Sequence, residues 1–288
     1  MSTSNFKSFA ILGVGTIGIH FLDAFLAAGI SPLVLTRKSS NKTFPPSVRV
    51  AKVDLENVDE IAKVLKENNV EVIVSAIGTT AIPAQYPVAD AAKEAGVKLF
   101  VPSEYGCPTD GISGYPGEHE SSPLAQKDKF AQYLKSIGLP YTRVASGAFF
   151  DYIPWLTGLA ENGKINIAGK GNEPVSFTDV SDLAGYLVHI LTTLPPSELE
   201  NKSLRIEGDS ATLLDIAKRW KKDVQYVEQV PGEPTWVINY FSGLIEGGRA
   251  SVSWDYALNG RRQGESANDN GLWSGHKWKT LDDSQLGL

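Results

Sequence analysis

One turn constrains this chain more than any other feature. Gly13-Val14-Gly15-Thr16-Ile17-Gly18 has a G-x-G-x-x-G spacing, set between an apolar strand-like run, FAILGV over 9–14, and an amphipathic stretch from about Thr16 to Ala28. In that setting the first glycine permits a tight turn, the second lets the backbone approach a pyrophosphate, and the third allows close helix packing. The helix N-terminus that follows favours the anion. The reading is a dinucleotide-binding turn, with Gly13, Gly15, Thr16, Ile17 and Gly18 against the phosphates; the alternative is a plain strand-to-helix turn.

The βα rhythm continues beyond it. LVLT (33–36) and VRVAKVD (48–54) read as strands, and Asn57 with Glu60 resembles a capping box that opens a helix with the stripe Val58, Ile61, Val64, Leu65. EVIVSAIG (71–78) reads as a buried strand, a helix ends at Gly96, and KLFVPS (98–103) is another strand. A Gly- and Pro-rich loop from Gly106 to Pro116 precedes a helix capped by Ser122 and Pro123, which runs to Ile137; strand-like YTRVAS (141–146) follows. Such alternation predicts an α/β, Rossmann-type doubly wound parallel sheet over 1–150. The alternation weakens beyond it, and 151–288 is read mainly as a smaller C-terminal substrate-binding region, with helices at Ser181–Leu194 and after Thr212 with Asp215.

The end of the second strand selects the nucleotide. A protein for NAD places an acid there against the ribose hydroxyls, whereas this chain reads Thr36-Arg37-Lys38-Ser39. Arg37 can grip a 2'-phosphate bidentately and Lys38 adds a second charge, so NADPH (NADP) is the expected cofactor. The bland alternative is a pair of solvated loop charges. Ala76, Ile77 and Gly78 end the next strand on the edge where open sheets bind ligands, and are read as bordering the cofactor or as a structural turn.

On the 123–137 helix, Leu124, Lys127, Phe130, Ala131 and Leu134 share one face, so Lys127 interrupts an apolar stripe. Burial without a partner would lower an amine's pKa toward the range useful for acid–base work, which makes Lys127 the catalytic candidate. The competing reading is a lysine that covers the core with its methylenes and snorkels its ammonium outward. Phe149, Phe150, Tyr152 and Trp155 follow the strand at the cofactor edge and could stack on a planar substrate or fill the core. Trp273 and Trp278 either close the pocket or anchor the C-terminus.

Composition narrows the function classes. Across 288 residues, 42% are hydrophobic, enough for a sizeable core, and the net charge of -6 with no long basic run speaks against nucleic acid and anionic membrane as partners. The apolar stretch Phe9–Leu35 is interrupted by His20, Asp23 and several glycines, which argues against a membrane span. The one cysteine, Cys107, cannot form an internal disulfide, and residues 1–8 lack a signal-peptide layout, so a cytoplasmic location is expected. His20 and His189 have no metal-spaced companion, so no metal site is expected; His119 is a loop histidine that a closing lid could bring to a substrate.

These residues also resemble a family. Phe100-Val101-Pro102-Ser103-Glu104-Tyr105-Gly106 is similar to the F-x-P-S-E-F-G signature of the isoflavone reductase and phenylcoumaran benzylic ether reductase group, within the NmrA-like atypical short-chain dehydrogenases. Tyr105 replaces the usual Phe. Leu139-Pro140-Tyr141-Thr142 is similar to that group's I-P-Y-T, and Lys127 stands upstream of Pro140 where those reductases have their catalytic lysine. Gly169-Lys170-Gly171-Asn172 and Phe177-Thr178-Asp179-Val180-Ser181-Asp182 resemble the segment, near 169–194, that returns the chain to the nucleotide domain. The match is loosest after about residue 225. The phosphate turn departs from the group's G-x-x-G-x-x-G, and no tyrosine is followed four positions later by lysine, so the Y-x-x-x-K pair of ordinary short-chain dehydrogenases is absent.

The resemblance implies an NADPH-dependent reductase of a phenolic or conjugated aromatic small molecule. Hydride passes from nicotinamide, and Lys127 moves the proton on the substrate oxygen. It further implies Ser103 and Glu104 near the nicotinamide and Tyr105 at the pocket mouth, with Glu104 alternatively a structural hydrogen-bonding group. A homodimer stays open. Two other readings stand beside it: an NAD(P)-binding regulator with little turnover that contacts a protein partner, and an epimerase or dehydratase with tightly held cofactor.

Overall fold

Strand β1 (Phe9–Leu12) is apolar and buried along its whole length, as a strand covered on both faces must be. In the computed structural model, which describes residues 5–284, it is followed by α1 (Gly18–Ala27), β2 (Leu33–Arg37), β3 (Arg49–Val53), α2 (Val58–Glu67) and β4 (Val72–Ser75). Then come α3 (Gln85–Ala95), β5 (Leu99–Val101), α4 (Pro123–Ser136) and β6 (Thr142–Ala145). The leader reading of residues 1–8 thus falls partly outside the described residues.

The sheet order is β3-β2-β1-β4-β5, parallel throughout, with Ile11 opposite both Val34 and Val74, and Val74 opposite Val101. A parallel bridge joins Phe100 to Tyr141, just before β6. This is the Rossmann-type α/β sheet that the alternation predicts. On one face Leu12, Leu35, Ile73 and Phe100 pack with Ile61 and Leu65 of α2, Val88 and Ala92 of α3, and Phe130 and Leu134 of α4. Elsewhere the Phe25 ring of α1 lies 4.8 Å from that of Phe9. Each such side chain removed from water stabilises the fold by about 1.5–3 kcal/mol.

Two helix starts differ from the sequence expectation. The first helix begins at Gly18 rather than Thr16, because Gly15, Thr16 and Ile17 are used by the turn. At α2 only half of the capping box forms: Asn57 Oδ1 accepts from Glu60 N at 3.0 Å, but the Glu60 carboxylate turns away to Lys38 and Asp54. The Ser122 cap on α4 forms as expected, accepting from Ala125 N at 3.1 Å with Pro123 in the first turn.

Beyond β6 the elements are β7 (Ala148–Phe149), α5 (Ile153–Leu156), α6 (Leu159–Asn162), β8 (Ile165–Ile167), β9 (Val175–Thr178), α7 (Val180–Thr193), β10 (Lys202–Arg205), β11 (Asp209–Ala211), α8 (Leu213–Arg219), β12 (Val224–Tyr226) and α9 (Thr235–Glu246). A complete capping box between Thr212 and Asp215 starts α8. The chain divides into two units. The first holds 1–104, 109–144 and 184–204; the second holds 105–108, 145–183 and 205–288. The first unit ends within β6, after 144, and takes the chain back at 184–204, which includes part of the 169–194 segment, while 169–183 stay in the second unit. Pairing explains this: β9 is held between β7 and β11, whereas β10 pairs with β6 and Leu199 O accepts from Thr142 Oγ1 at 2.6 Å.

Among the described residues, no helix is long and apolar enough to cross a membrane, and no group of three or more His, Cys, Asp or Glu could hold a metal ion.

Candidate functional site

Gly13 adopts φ +82°, a left-handed value that a side chain would strain. A Cβ on Gly18 would lie 2.2 Å from the Gly13 carbonyl oxygen, so helix α1 leaves the turn at a distance only glycine allows. Gly15 is different: a Cβ there would meet no protein atom within 4 Å. The described protein atoms therefore do not require glycine at 15 and leave that side of the turn open to an external group. No side chain caps α1 at Ile17, so its first amides have no side-chain acceptor. Turn, open approach and uncapped helix end together fit a pyrophosphate.

The same turn packs on the loop after β4. A Cβ at Gly13 would sit 3.1 Å from Ile77 Cγ2 and 3.4 Å from the Ala76 carbonyl oxygen, and Ala76 N donates to Leu12 O at 2.8 Å. That loop in turn holds the end of β5: Ser103 Oγ donates to Ile77 O at 2.8 Å, and Ser103 N donates to the buried Gln85 Oε1 at 3.0 Å. The next residue, Glu104, offers its main-chain carbonyl to Lys127 Nζ. Gly13, Ala76, Ile77, Ser103, Glu104 and Lys127 are thereby linked, contact by contact, along the carboxyl edge of β1, β4 and β5.

Glu104 divides its work. Its carboxylate, 3% exposed, faces inward: Oε1 accepts from Arg143 Nε at 2.9 Å and Oε2 from Thr109 Oγ1 at 2.7 Å. The side chain is thus a buried ion-pair member, in line with the structural hydrogen-bonding alternative for Glu104, while the carbonyl is the group that meets Lys127. Arg143 also pairs with Asp110 and Asp128. Burial alone would lower the guanidinium pKa, but Glu104, Asp110 and Asp128 together raise it above its ordinary value. Lys127 itself is half-buried on α4, as the interrupted apolar stripe implied.

At the end of β2, Thr36 is half-buried, and Arg37 is exposed with no ion-pair partner among the described residues. Lys38 differs: its ammonium lies 2.8 Å from Glu60 Oε2, and that hydrogen bond raises its pKa. Another cation, Lys42, lies against the glycine turn, where its Nζ donates to the Val14 carbonyl. Sequence reasoning missed Lys42 because no motif spacing marks it. It missed Gln85 and Arg143 for a similar reason; the one available signal was an arginine within YTRVAS, a run that otherwise reads as buried strand.

Among the expected substrate-facing aromatics, Tyr105 (φ +39°), Phe149 and Phe150 are buried, and Tyr152 is 39% exposed. Within the second unit the rings form a row: Phe149 to Tyr152 at 6.0 Å, Tyr152 to Trp155 at 6.2 Å, Trp155 to Phe241 at 6.4 Å and Phe241 to Tyr240 at 5.5 Å. Trp155 Nε1 donates to Glu233 O at 3.0 Å, which anchors the row next to the start of α9. Trp273 stacks on His276 at 3.6 Å, and His276 Nε2 lies 3.1 Å from Asp182 Oδ1, so the histidine joins this segment to the start of α7 with the tryptophan packed on its ring. His119 is bound to Ser121 Oγ at 2.7 Å, and Cys107 is buried.

Comparison with known proteins identifies the family and the fold. The pattern described as the NmrA-like family matches residues 7–234. The isoflavone reductase homolog P3 of Arabidopsis thaliana is 31% identical over 244 residues, covering 78% of this chain and 76% of its own. Phenylcoumaran benzylic ether reductase PT1 of Pinus taeda is 27% identical over 227 residues, covering 73% and 72%. Among solved structures, the leucoanthocyanidin reductase–NADPH complex from Vitis vinifera shares the fold, with a TM-score of 0.77 at 18% identity, covering 96% of this chain and 97% of that one.

Proposed function

The chain belongs to the NmrA-like family, in the isoflavone reductase and phenylcoumaran benzylic ether reductase group, and from that premise we propose that it is an NADPH-dependent reductase of a phenolic or conjugated aromatic small molecule. The observation that carries the reading is the linked set from Gly13 to Lys127, which ties an anion-binding turn to an amine positioned on a carbonyl. Relatives named as reductases, one solved with NADPH, support the same reading.

NADPH, when bound, supplies the hydride. Everything else falls to the chain. The amides at the start of α1 and the open side of Gly15 receive the pyrophosphate. Arg37 and Lys42 are the cations for a 2'-phosphate, with Lys38 withdrawn to Glu60. The Glu104 carbonyl fixes Lys127 Nζ, which as the ammonium donates a proton to the substrate oxygen and as the neutral amine takes one from it. The row Tyr152, Trp155, Phe241 and Tyr240 offers stacking faces for an aromatic substrate.

The test follows NADPH absorbance over phenylpropanoid-like enones, benzylic ethers and quinones, with wild type and Lys127→Met side by side. Turnover by the wild type that collapses in the variant, with NADPH affinity kept, is the expected result. Tight NADPH binding with no turnover of any compound would sink the reductase reading in favour of a nucleotide-binding regulator.

A further inference from the structure

A buried charge cluster lies directly behind Lys127. Arg143, on β6, is 6% exposed and uses three edges of its guanidinium. Nε donates to Glu104 Oε1 at 2.9 Å. Nη1 donates to Asp110 Oδ1 at 2.8 Å and Asp128 Oδ1 at 3.2 Å. Nη2 donates to Thr109 Oγ1, which itself donates to Glu104 Oε2 at 2.7 Å. Further donors meet two of the carboxylates: Asp128 Oδ2 takes Ser113 Oγ at 2.6 Å and Gln132 Nε2 at 3.1 Å, and Asp110 Oδ1 takes Ser203 Oγ at 2.6 Å.

Two of these partners bracket the amine. Glu104 carries the carbonyl to which Lys127 Nζ donates, and Asp128 is the next residue to Lys127 on α4. A single planar guanidinium therefore fixes both ends of the Lys127 contact, the acceptor residue and the helical turn that bears the donor. Resting on the reading that Lys127 moves the substrate's proton, we propose that Arg143 is a positioning residue for that lysine. Bulk stability does not demand this design, since a buried ion pair is often no more stabilising than apolar residues of the same volume. What the fork gives is geometry: three carboxylates and a hydroxyl held at fixed angles, which an ammonium at the same place cannot reproduce.

The experiment uses protein labelled with ¹⁵N at lysine side chains. The Nζ resonance of Lys127, assigned by its loss in Lys127→Met, reports the hydrogen bond to Glu104 without reference to activity. In Arg143→Lys that resonance is expected to shift and lose protection from exchange. Turnover per NADPH-binding site should fall by about a hundredfold, the scale of a misplacement near 1 Å, with NADPH affinity kept. If Arg143→Lys loses NADPH binding along with its fold, Glu104→Ala carries the same expectation as Arg143→Lys, because Asp110 and Asp128 still balance the guanidinium. A Lys127 resonance and a turnover per binding site at wild-type values, in whichever of the two folds, would overturn the proposal. A resonance lost in the variant while even the wild type reduces no compound would keep the positioning role and remove the reductase reading instead.

Discussion

Lys38 and Glu60 form an ion pair 2.8 Å long across the gap between the end of β2 and the first turn of α2. The pair engages Lys38, beside Arg37, and takes from Glu60 its half of a capping box. Arg37 is exposed without an ion-pair partner among the described residues, and Lys42 reaches into the glycine turn, so these are the two cations to which the proposed function gives the 2'-phosphate.

Arg37→Ala should weaken NADPH binding by about ten- to a hundredfold, the worth of a charge-assisted hydrogen bond, while NADH binding changes little. Lys38→Ala should move neither by much. Fluorescence titrations with both nucleotides decide it. Equal losses for NADPH and NADH in the Arg37 variant would remove the 2'-phosphate assignment.

The two glycines of the turn should fail in different ways. Gly18→Ala drives a methyl into the Gly13 carbonyl and is expected to cost about 1–3 kcal/mol of stability, read as a lower urea midpoint. Gly15→Ala meets no protein atom within 4 Å, so its melting should match wild type while NADPH affinity falls. If Gly15→Ala bound NADPH normally, the pyrophosphate would have to lie elsewhere.

Tyr133 donates its phenolic proton to Asp90, and that hydrogen bond, aided by burial, pushes its pKa from 10.0 up to about 12. A folded-state pKa above the unfolded value of about 10 gives stability that is complete below pH 10 and lost as pH rises toward 12. Wild type should therefore exceed Tyr133→Phe by about 1 kcal/mol at neutral pH, with the gap closing between those two values. Urea midpoints taken across that range test the sign; a gap that stays constant would show that the proton on Tyr133 is not what the contact depends on.

Phe241→Ala removes one ring from the middle of the aromatic row and should raise KM for an aromatic substrate about tenfold, given the worth of a stacked pair plus its buried area. NADPH affinity and kcat should hold. A loss confined to kcat would place the row's influence on the reacting groups rather than on substrate binding.

The fold was legible because its signals are local. Glycine spacing, apolar runs and the Ser122–Pro123 cap each act within a few residues, and each formed where it was read. The half-formed cap at Asn57 shows the limit: whether Glu60 turns to its own helix or to Lys38 depends on a strand some twenty residues away in sequence, whose geometry no local pattern carries. The site followed the same division. Lys127 stood out on its own helix, whereas Arg143, Gln85 and Lys42 matter through partners 15 to 39 residues distant, as in Arg143 with Asp128 and Glu104. Glu104 was legible as a motif residue, but not which of its two oxygen-bearing ends would face the site. The aromatic crowding of the C-terminal half was visible as composition; its ordering into a row needed the fold of α9.

Lys127 rests on a peptide carbonyl, and a peptide carbonyl has no proton to gain or lose in the range where proteins stay folded. The support beneath the amine is therefore insulated from pH. A carboxylate in that place would hold the lysine at neutral pH and release it in acid, mixing the loss of the anchor with the loss of the chemistry. In the proposed reaction the anchor would stay constant while the lysine and its substrate exchange their proton, much as a pivot must not move with the lever it bears.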